Sequence, residues 1–278
     1  MEYTKSLRCL SSLIVAASGL AHAYTGVANV GTTLIGGDRS LDSMGFVSSA
    51  TVFSGANVAQ FQGGKLVNNV GTFGWNDPIA RDMNTAGNNF SSNPDRTSNS
   101  SAFAGEAGQT GTLKEVFGSN NLSWIMDGED SGVWSLDLYF GADQFIVDDG
   151  NASTIELAIL ERGGNSDLGV RAIYESGNNL AYSSGIVLSR NQGASAGFSI
   201  QTLEIADPQA VKGWGVSLNE LGQVGGNIVG YNFYSQSNFN GPDILGVTSV
   251  QAVPEPASMI ALATGIAGLL ARRKAKKV

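Results

Sequence analysis

Ile155-Glu-Leu-Ala-Ile-Leu-Glu161, then Arg162-Gly-Gly-Asn-Ser-Asp167, then Leu168-Gly-Val-Arg-Ala-Ile-Tyr174 reads as strand, turn and strand. Each apolar run is seven residues long, too short for a stable helix, and the connector is made of turn-forming residues. The same grammar repeats on both sides. Upstream, Val133-Trp-Ser-Leu-Asp-Leu-Tyr-Phe140 alternates apolar and polar residues. Downstream, the turn Glu175-Ser-Gly-Asn-Asn179 leads to Leu180–Ser183, followed by Phe198–Ile205, Trp214–Leu218, Ile228–Tyr234 and Ile244–Val250. Short strands at this spacing, with no amphipathic helix after Tyr24, predict an all-β fold: an antiparallel β-sandwich or jelly-roll-like domain. The segment Thr25–Gly74 contains strand-like pieces (Val47–Phe53, Val58–Phe61) whose register is open, and Asn84–Gly111 is polar enough to be a long surface loop or insertion.

Residues 1–23 have the form of a secretory signal peptide, here expected as a helix in the precursor. Lys5 and Arg8 are followed by the apolar Leu10–Leu20 and by Ala21-His22-Ala23, in which Ala21 and Ala23 form an A-x-A cleavage site. The expected partners are the Sec translocon and signal peptidase, and the expected mature start is Tyr24. The chain's one cysteine, Cys9, and its one histidine, His22, both lie in the segment to be removed. A mature chain without them has no disulfide, no Cys/His zinc site, and no Ser-His or Cys-His nucleophile.

Residues 253–278 are organised differently. Val253-Pro-Glu-Pro-Ala-Ser258 is followed by the uncharged stretch Met259–Ala271 and then by Arg272, Arg273, Lys274, Lys276 and Lys277. The prolines keep the stretch around Glu255 extended. The apolar run can enter a bilayer as a helix, and the basic cluster holds its end on the cytoplasmic side. Pro254-Glu255-Pro256 in this order resembles the PEP-CTERM sorting signal of Gram-negative bacteria. That resemblance implies export, passage through the inner membrane, recognition by an exosortase, cleavage near the motif, and delivery to the cell surface or extracellular matrix. An ordinary tail anchor is the alternative. Ala257–Ala271 is 15 residues, about 22 Å as a helix, shorter than the ~20 residues of a comfortable span, which suits transient residence better. Glu161–Asp167 with Val170-Arg-Ala-Ile173, and Val211-Lys-Gly-Trp-Gly-Val-Ser-Leu218 with Gly230 and Gly241-Pro-Asp243, are similar to stretches of exosortase-dependent surface proteins. The resemblance implies a destination and a β-fold, and carries no catalytic residues.

Seven of the 16 Lys and Arg lie in the two end segments, against only Glu2 and Glu255 of the 24 Asp and Glu, so the middle of the chain carries a net charge of about −13. Such a surface excludes nucleic-acid binding, which needs a basic footprint. Remaining chemistry would rest on carboxylates. Asp127, Glu129 and Asp130 form one cluster, and Asp148 and Asp149 another; each is either a calcium site or a solvated turn. Calcium is the one candidate cofactor. The EF-hand spacing from Asp127 fails because its twelfth position is Leu138. Glu156 and Glu161, five apart on one strand, should face opposite sides and do not make a glycosidase pair. Arg162, Arg171 and Arg190 read as ion-pair partners. Gly193-Ala-Ser-Ala-Gly197 matches the nucleophile elbow in letters, but strand-like residues follow it and no histidine is available. Trp134 and Trp214 fall in apolar alternation and belong to a core, while Trp75 and Trp124 are the rings left for sugar stacking. The expectation is therefore an exported, non-enzymatic surface or matrix protein with a structural or adhesive role. The alternative is a secreted module that binds extracellular polysaccharide, with or without calcium.

Overall fold

The computed structural model describes residues 24–35, 38–47, 49–54, 61–69, 73–76, 96–97, 117–118, 120–122, 125–128, 132–200, 208–222, 226–250 and 253–254. The expected signal helix, the membrane segment 257–271 and the basic tail fall outside these residues, as does the polar stretch 84–111 apart from Arg96–Thr97. Among the described residues no helix is long and apolar enough to cross a membrane. In chain order the strands are β1 (Tyr24–Ile35), β2 (Asp38–Phe46), β3 (Ser49–Ser54), β4 (Gly63–Asn69), β5 (Phe73–Asn76), β6 (Arg96–Thr97), β7 (Ile125–Gly128), β8 (Trp134–Tyr139) and β9 (Gln144–Phe145). They continue as β10 (Leu157–Arg162), β11 (Leu168–Ser176), β12 (Asn179–Tyr182), β13 (Ile186–Leu188), β14 (Ala194–Ile200), β15 (Gln209–Val216), β16 (Ile228–Ser235), β17 (Asp243–Ser249) and β18 (Val253–Pro254).

Two antiparallel sheets form a sandwich-like β-fold. The larger runs β3-β2-β1-β15-β10-β17-β7-β5-β6, with β14 sharing an edge of β15. The smaller runs β12-β11-β16-β8-β4, with β13 also on β11. The strand-turn-strand unit thus does not close a hairpin. β10 lies in the larger sheet and β11 in the smaller, so Gly163–Asp167 is the joint between the layers. The open segment Thr25–Gly74 resolves into a meander of β1 to β3, with bulges after Val27 and Gly31, and into β4, an edge strand of the smaller sheet.

β10 decides how the layers stack. Its near-continuous apolar run, unlike an alternating strand, has no face to offer water, and every residue of it is buried. Leu157 and Ile159 enter a core shared with the smaller sheet, where Leu136 and Leu138 of β8, Val170 of β11 and Phe233 of β16 meet them. Ala158 and Leu160 enter a second cluster with Val27, Met44 and Phe46 of β1 and β2 and with Ala196 and Ile200 of β14. β10 is therefore covered on both faces, on the second by strands of its own sheet. β15 beside it shows the same division: Trp214 and Val216 pack in the first core and Val211 in the second. Gly213 and Gly215 make room on that second side, because a Cβ would lie 2.7 Å from Leu160 Cδ2 at Gly213 and 2.5 Å from the Phe46 ring at Gly215. At one end of the first core Phe61 stacks on Phe140 at 5.5 Å while Tyr231 meets both edge-on.

The joint is fastened by polar groups. Gly163 and Gly164 take φ of 90° and 64°, a left-handed path that glycine adopts without strain. Ser166 Oγ lies 2.7 Å from the Asn240 carbonyl and 3.0 Å from that of Gly241, and the Asp167 amide donates to Phe239. Arg162 donates to Asp243 at 3.0 Å with its side chain almost fully buried, and Arg190 grips both oxygens of Asp167 at 2.9 and 3.0 Å. Both arginines are ion-pair partners as expected. For Arg171 the described residues show a cation–π contact, its guanidinium stacked over the Tyr234 ring at 4.4 Å.

Candidate functional site

Pro254 is the last described residue. Val253 and Pro254 form β18, which pairs antiparallel with β9, Val253 opposite Phe145 and Pro254 opposite Gln144. Proline has no amide to donate and so suits the end of a pairing. The residue after β9 is in turn tied to the smaller sheet through the bridge Ile146–Ile228, so among the described residues the last β-paired ones sit on β9. A groove of about 250 Å³ opens beside β9, lined by Tyr139, Asp143, Gln144, Glu175 and Leu180 among others. Glu255, Pro256, the basic residues Arg272, Arg273, Lys274, Lys276 and Lys277, and the cleavage-site residues Ala21 and Ala23 lie outside the described residues.

The loop after β9 holds Asp148 and Asp149. Their carboxylates are engaged by the turn itself: Gly150 N donates to Asp148 at 2.8 Å, Asn151 N to Asp149 at 2.7 Å, and Thr154 Oγ1 to the second oxygen of Asp149 at 2.8 Å. This is the local side-chain-to-backbone bonding that Asp and Asn supply in turns. Asp127 sits in β7, while Glu129 and Asp130 lie outside the described residues. Among the described residues no three His, Cys, Asp or Glu side chains cluster as metal ligands would.

Glu156 and Glu161 are both buried. Glu156 accepts the Leu218 amide at 2.8 Å and Glu161 the Gly164 amide at 2.6 Å. Burial pushes Glu156 up to about 7, the Leu218 bond opposing and nearby Asp149 and Asp148 adding to it. Burial pushes Glu161 up to about 8 against the Gly164 bond and the positive charges of Arg162 and Lys212. Glu156 precedes β10 rather than sitting in it. Each acid is bonded to a different piece of backbone. Gly193–Gly197 lies at the start of β14, where the Ser195 hydroxyl accepts the Gly197 amide at 3.2 Å and the strand continues to Ile200. Trp134 and Trp214 are fully buried, as their alternation implies. Trp75 lies in β5 with its side chain outside the description, and Trp124 lies outside it altogether.

One cluster is not visible in the chain order. On β8, Leu136 and Leu138 face the core, so Asp137 lies on the other face, yet it is 1% exposed. Tyr139 and Tyr182 donate to it at 2.8 and 2.9 Å and Asn232 at 2.7 Å, binding β8, β12 and β16 together. Burial and the Asp137 carboxylate push the Tyr182 hydroxyl up to about 12, and Tyr139 is raised likewise, so both stay protonated donors. A polar letter in an alternating run marks a solvent-facing position, and only the partners from β12 and β16 reveal that this one is covered.

No curated protein and no solved structure matches the chain. Residues 252–274 match the family model of the PEP-CTERM protein-sorting motif. The match begins at the strand-paired end of the fold and extends through the apolar stretch into the basic cluster. The motif implies export, a membrane-associated C-terminal signal and processing by an exosortase. The chain therefore carries a PEP-CTERM protein-sorting motif at its C-terminal end.

Proposed function

We propose that this chain is made as a precursor, exported through the Sec translocon, cut near Pro254-Glu255-Pro256, and delivered to the cell surface or extracellular matrix. There the β-sandwich serves as a structural or adhesive element without catalysis. The sorting match at residues 252–274 carries this reading. Support comes from the order of the parts in the sequence: the apolar stretch and the basic cluster follow Pro254-Glu255-Pro256. An acidic middle segment of net charge about −13 favours solubility in the open medium. The buried acids hold the fold: Glu156 accepts the Leu218 amide, Glu161 the Gly164 amide, and Asp137 the side chains of Tyr139, Tyr182 and Asn232. A chain that begins at Tyr24 also has no imidazole and no thiol.

The test is the intact mass of the protein recovered outside the cells, with and without the sorting peptidase. The expected species begins at Tyr24 and lacks Arg272–Lys277 only when the peptidase is present. An extracellular species that keeps the basic tail in peptidase-positive cells would falsify the sorting step.

A further inference from the structure

Asp149-Gly-Asn-Ala-Ser153 contains an Asn-X-Ser triplet, the acceptor pattern for N-linked glycans on exported chains. Four such triplets occur, at Asn89, Asn99, Asn121 and Asn151. Two residues ahead of them stand Gly87, Thr97, Ser119 and Asp149, so only Asn151 has a carboxylate at that position. Bacterial transferases of the acid-requiring kind read a five-residue pattern with that carboxylate, a group that an arginine can hold by two hydrogen bonds. Asn89 and Asn99 lie outside the described residues. Asn121 is half-buried, bridged to Ser40 and followed by the core residue Leu122. Asp149 to Ser153, by contrast, are five consecutive exposed residues.

The local geometry suits an acceptor. Asn151 Oδ1 accepts the Ser153 amide at 3.0 Å, and among the described residues Asn151 Nδ2 and Ser153 Oγ have no partner. Within the turn Asp149 accepts the Asn151 amide and the Thr154 hydroxyl, exposed bonds that a transferase arginine would replace. At its foot the loop is tied by Ser49 Oγ to the Ser153 carbonyl and by Asn219 Nδ2 to the Gly150 carbonyl. These are exposed single bonds of about 1 kcal/mol each. The tip can therefore open into a transferase without disturbing β10, which begins at Leu157.

We propose that Asn151 is an N-glycosylation site, recognised through Asp149 and Ser153. The co-substrate is an oligosaccharide on a polyprenyl diphosphate. Asn151 Nδ2 attacks the anomeric carbon of its first sugar, an N–C bond forms as the C–O bond to diphosphate breaks, one Nδ2 proton is lost to a base, and polyprenyl diphosphate leaves. The site rests on the export reading, because such transfer takes place outside the cytoplasm.

The test uses the purified full chain, an acid-requiring bacterial oligosaccharyltransferase and its polyprenyl-diphosphate-linked oligosaccharide, read by intact mass and peptide mapping. One glycan on the Asn151 peptide is expected. Asn151→Gln and Asp149→Asn should abolish it, while Asp149→Glu should keep it, with unchanged thermal melts showing that each variant is folded. An unmodified folded chain, or transfer that is unaffected by Asp149→Asn, overturns the site. Because this assay requires no export, its failure is separable from failure of the sorting reading. On the exported protein, an Asn151 peptide found wholly unmodified likewise overturns the site while leaving sorting intact.

Discussion

Glu161 is a buried acid with one oxygen on the Gly164 amide and the other without a hydrogen bond among the described residues. Its pKa is raised by burial to about 8, and that of Glu156 to about 7. Groups raised in the folded state contribute stability that is fully present below the ordinary carboxylate range and is lost as pH rises through the folded values. Between about pH 4.5 and 8 these two acids should weaken the fold. Replacing Glu161 by Gln removes the buried charge and keeps an oxygen for Gly164. Its melting temperature should match the parent near pH 5 and exceed it by several degrees at pH 9. Parallel curves across that range would show that burial of Glu161 is not the cause. Asp167 acts in the opposite direction: burial opposes ionisation, but the Arg190 hydrogen bonds win and hold its pKa down, so its contribution is lost only in acid. Arg162 is a third residue-scale case. Arg162→Met leaves the Asp243 carboxylate largely buried opposite an apolar side chain and should cost about 3–5 kcal/mol in denaturant unfolding. Adding Asp243→Leu should restore part of that loss, and a double variant no better than the single one would refute the ion-pair account.

At the scale of elements, β15 shows how small residues serve large ones. Gly215 sits against the Phe46 ring of β2 on one face while Trp214 and Val216 fill the core on the other. Gly215→Val drives two methyl groups into Phe46 and Ile155 and should destabilise by about 1–3 kcal/mol, measured by urea unfolding. A variant as stable as the parent would mean that β2 shifts freely over β15. Gly164 differs, since its left-handed backbone disfavours any side chain, and its missing Cβ also admits the Lys212 stem at 2.6 Å. The Gly-Gly pair of the joint thus serves path and packing together. β9 and β18 are two residues each, and so short a pair is held by what flanks it rather than by its own hydrogen bonds.

The described residues form a larger sheet, which includes the β1–β3 meander and β14, and a smaller sheet; β10 of the larger sheet packs in a core shared with the smaller sheet on one face and against β1, β2 and β14 of its own sheet on the other. Four groups fasten the joint between the sheets: Arg162, Ser166, Asp167 and Arg190. The acceptor loop at Asn151 and the sorting junction at Val253–Pro254 both adjoin β9, one following it in the chain and the other paired with it.

Much of this was legible in one dimension. Alternation and turn residues specify strands because side chains in a strand take opposite faces every second residue. A sorting signal is read as a linear string, so it needs no fold to be recognised. Other features were not legible. That β10 and β11 part into different sheets, that Asp137 is covered, and that Arg171 stacks on Tyr234 all depend on residues distant in the chain. By itself the sequence determined the all-β class, the sorting signal and the acceptor pattern at Asn151, since each is written in neighbouring letters. Only the tertiary structure decided which face each strand buries, where the two glutamates lose their water and that the triplet at Asn151 stands exposed. Burial is a property of what the rest of the chain brings alongside.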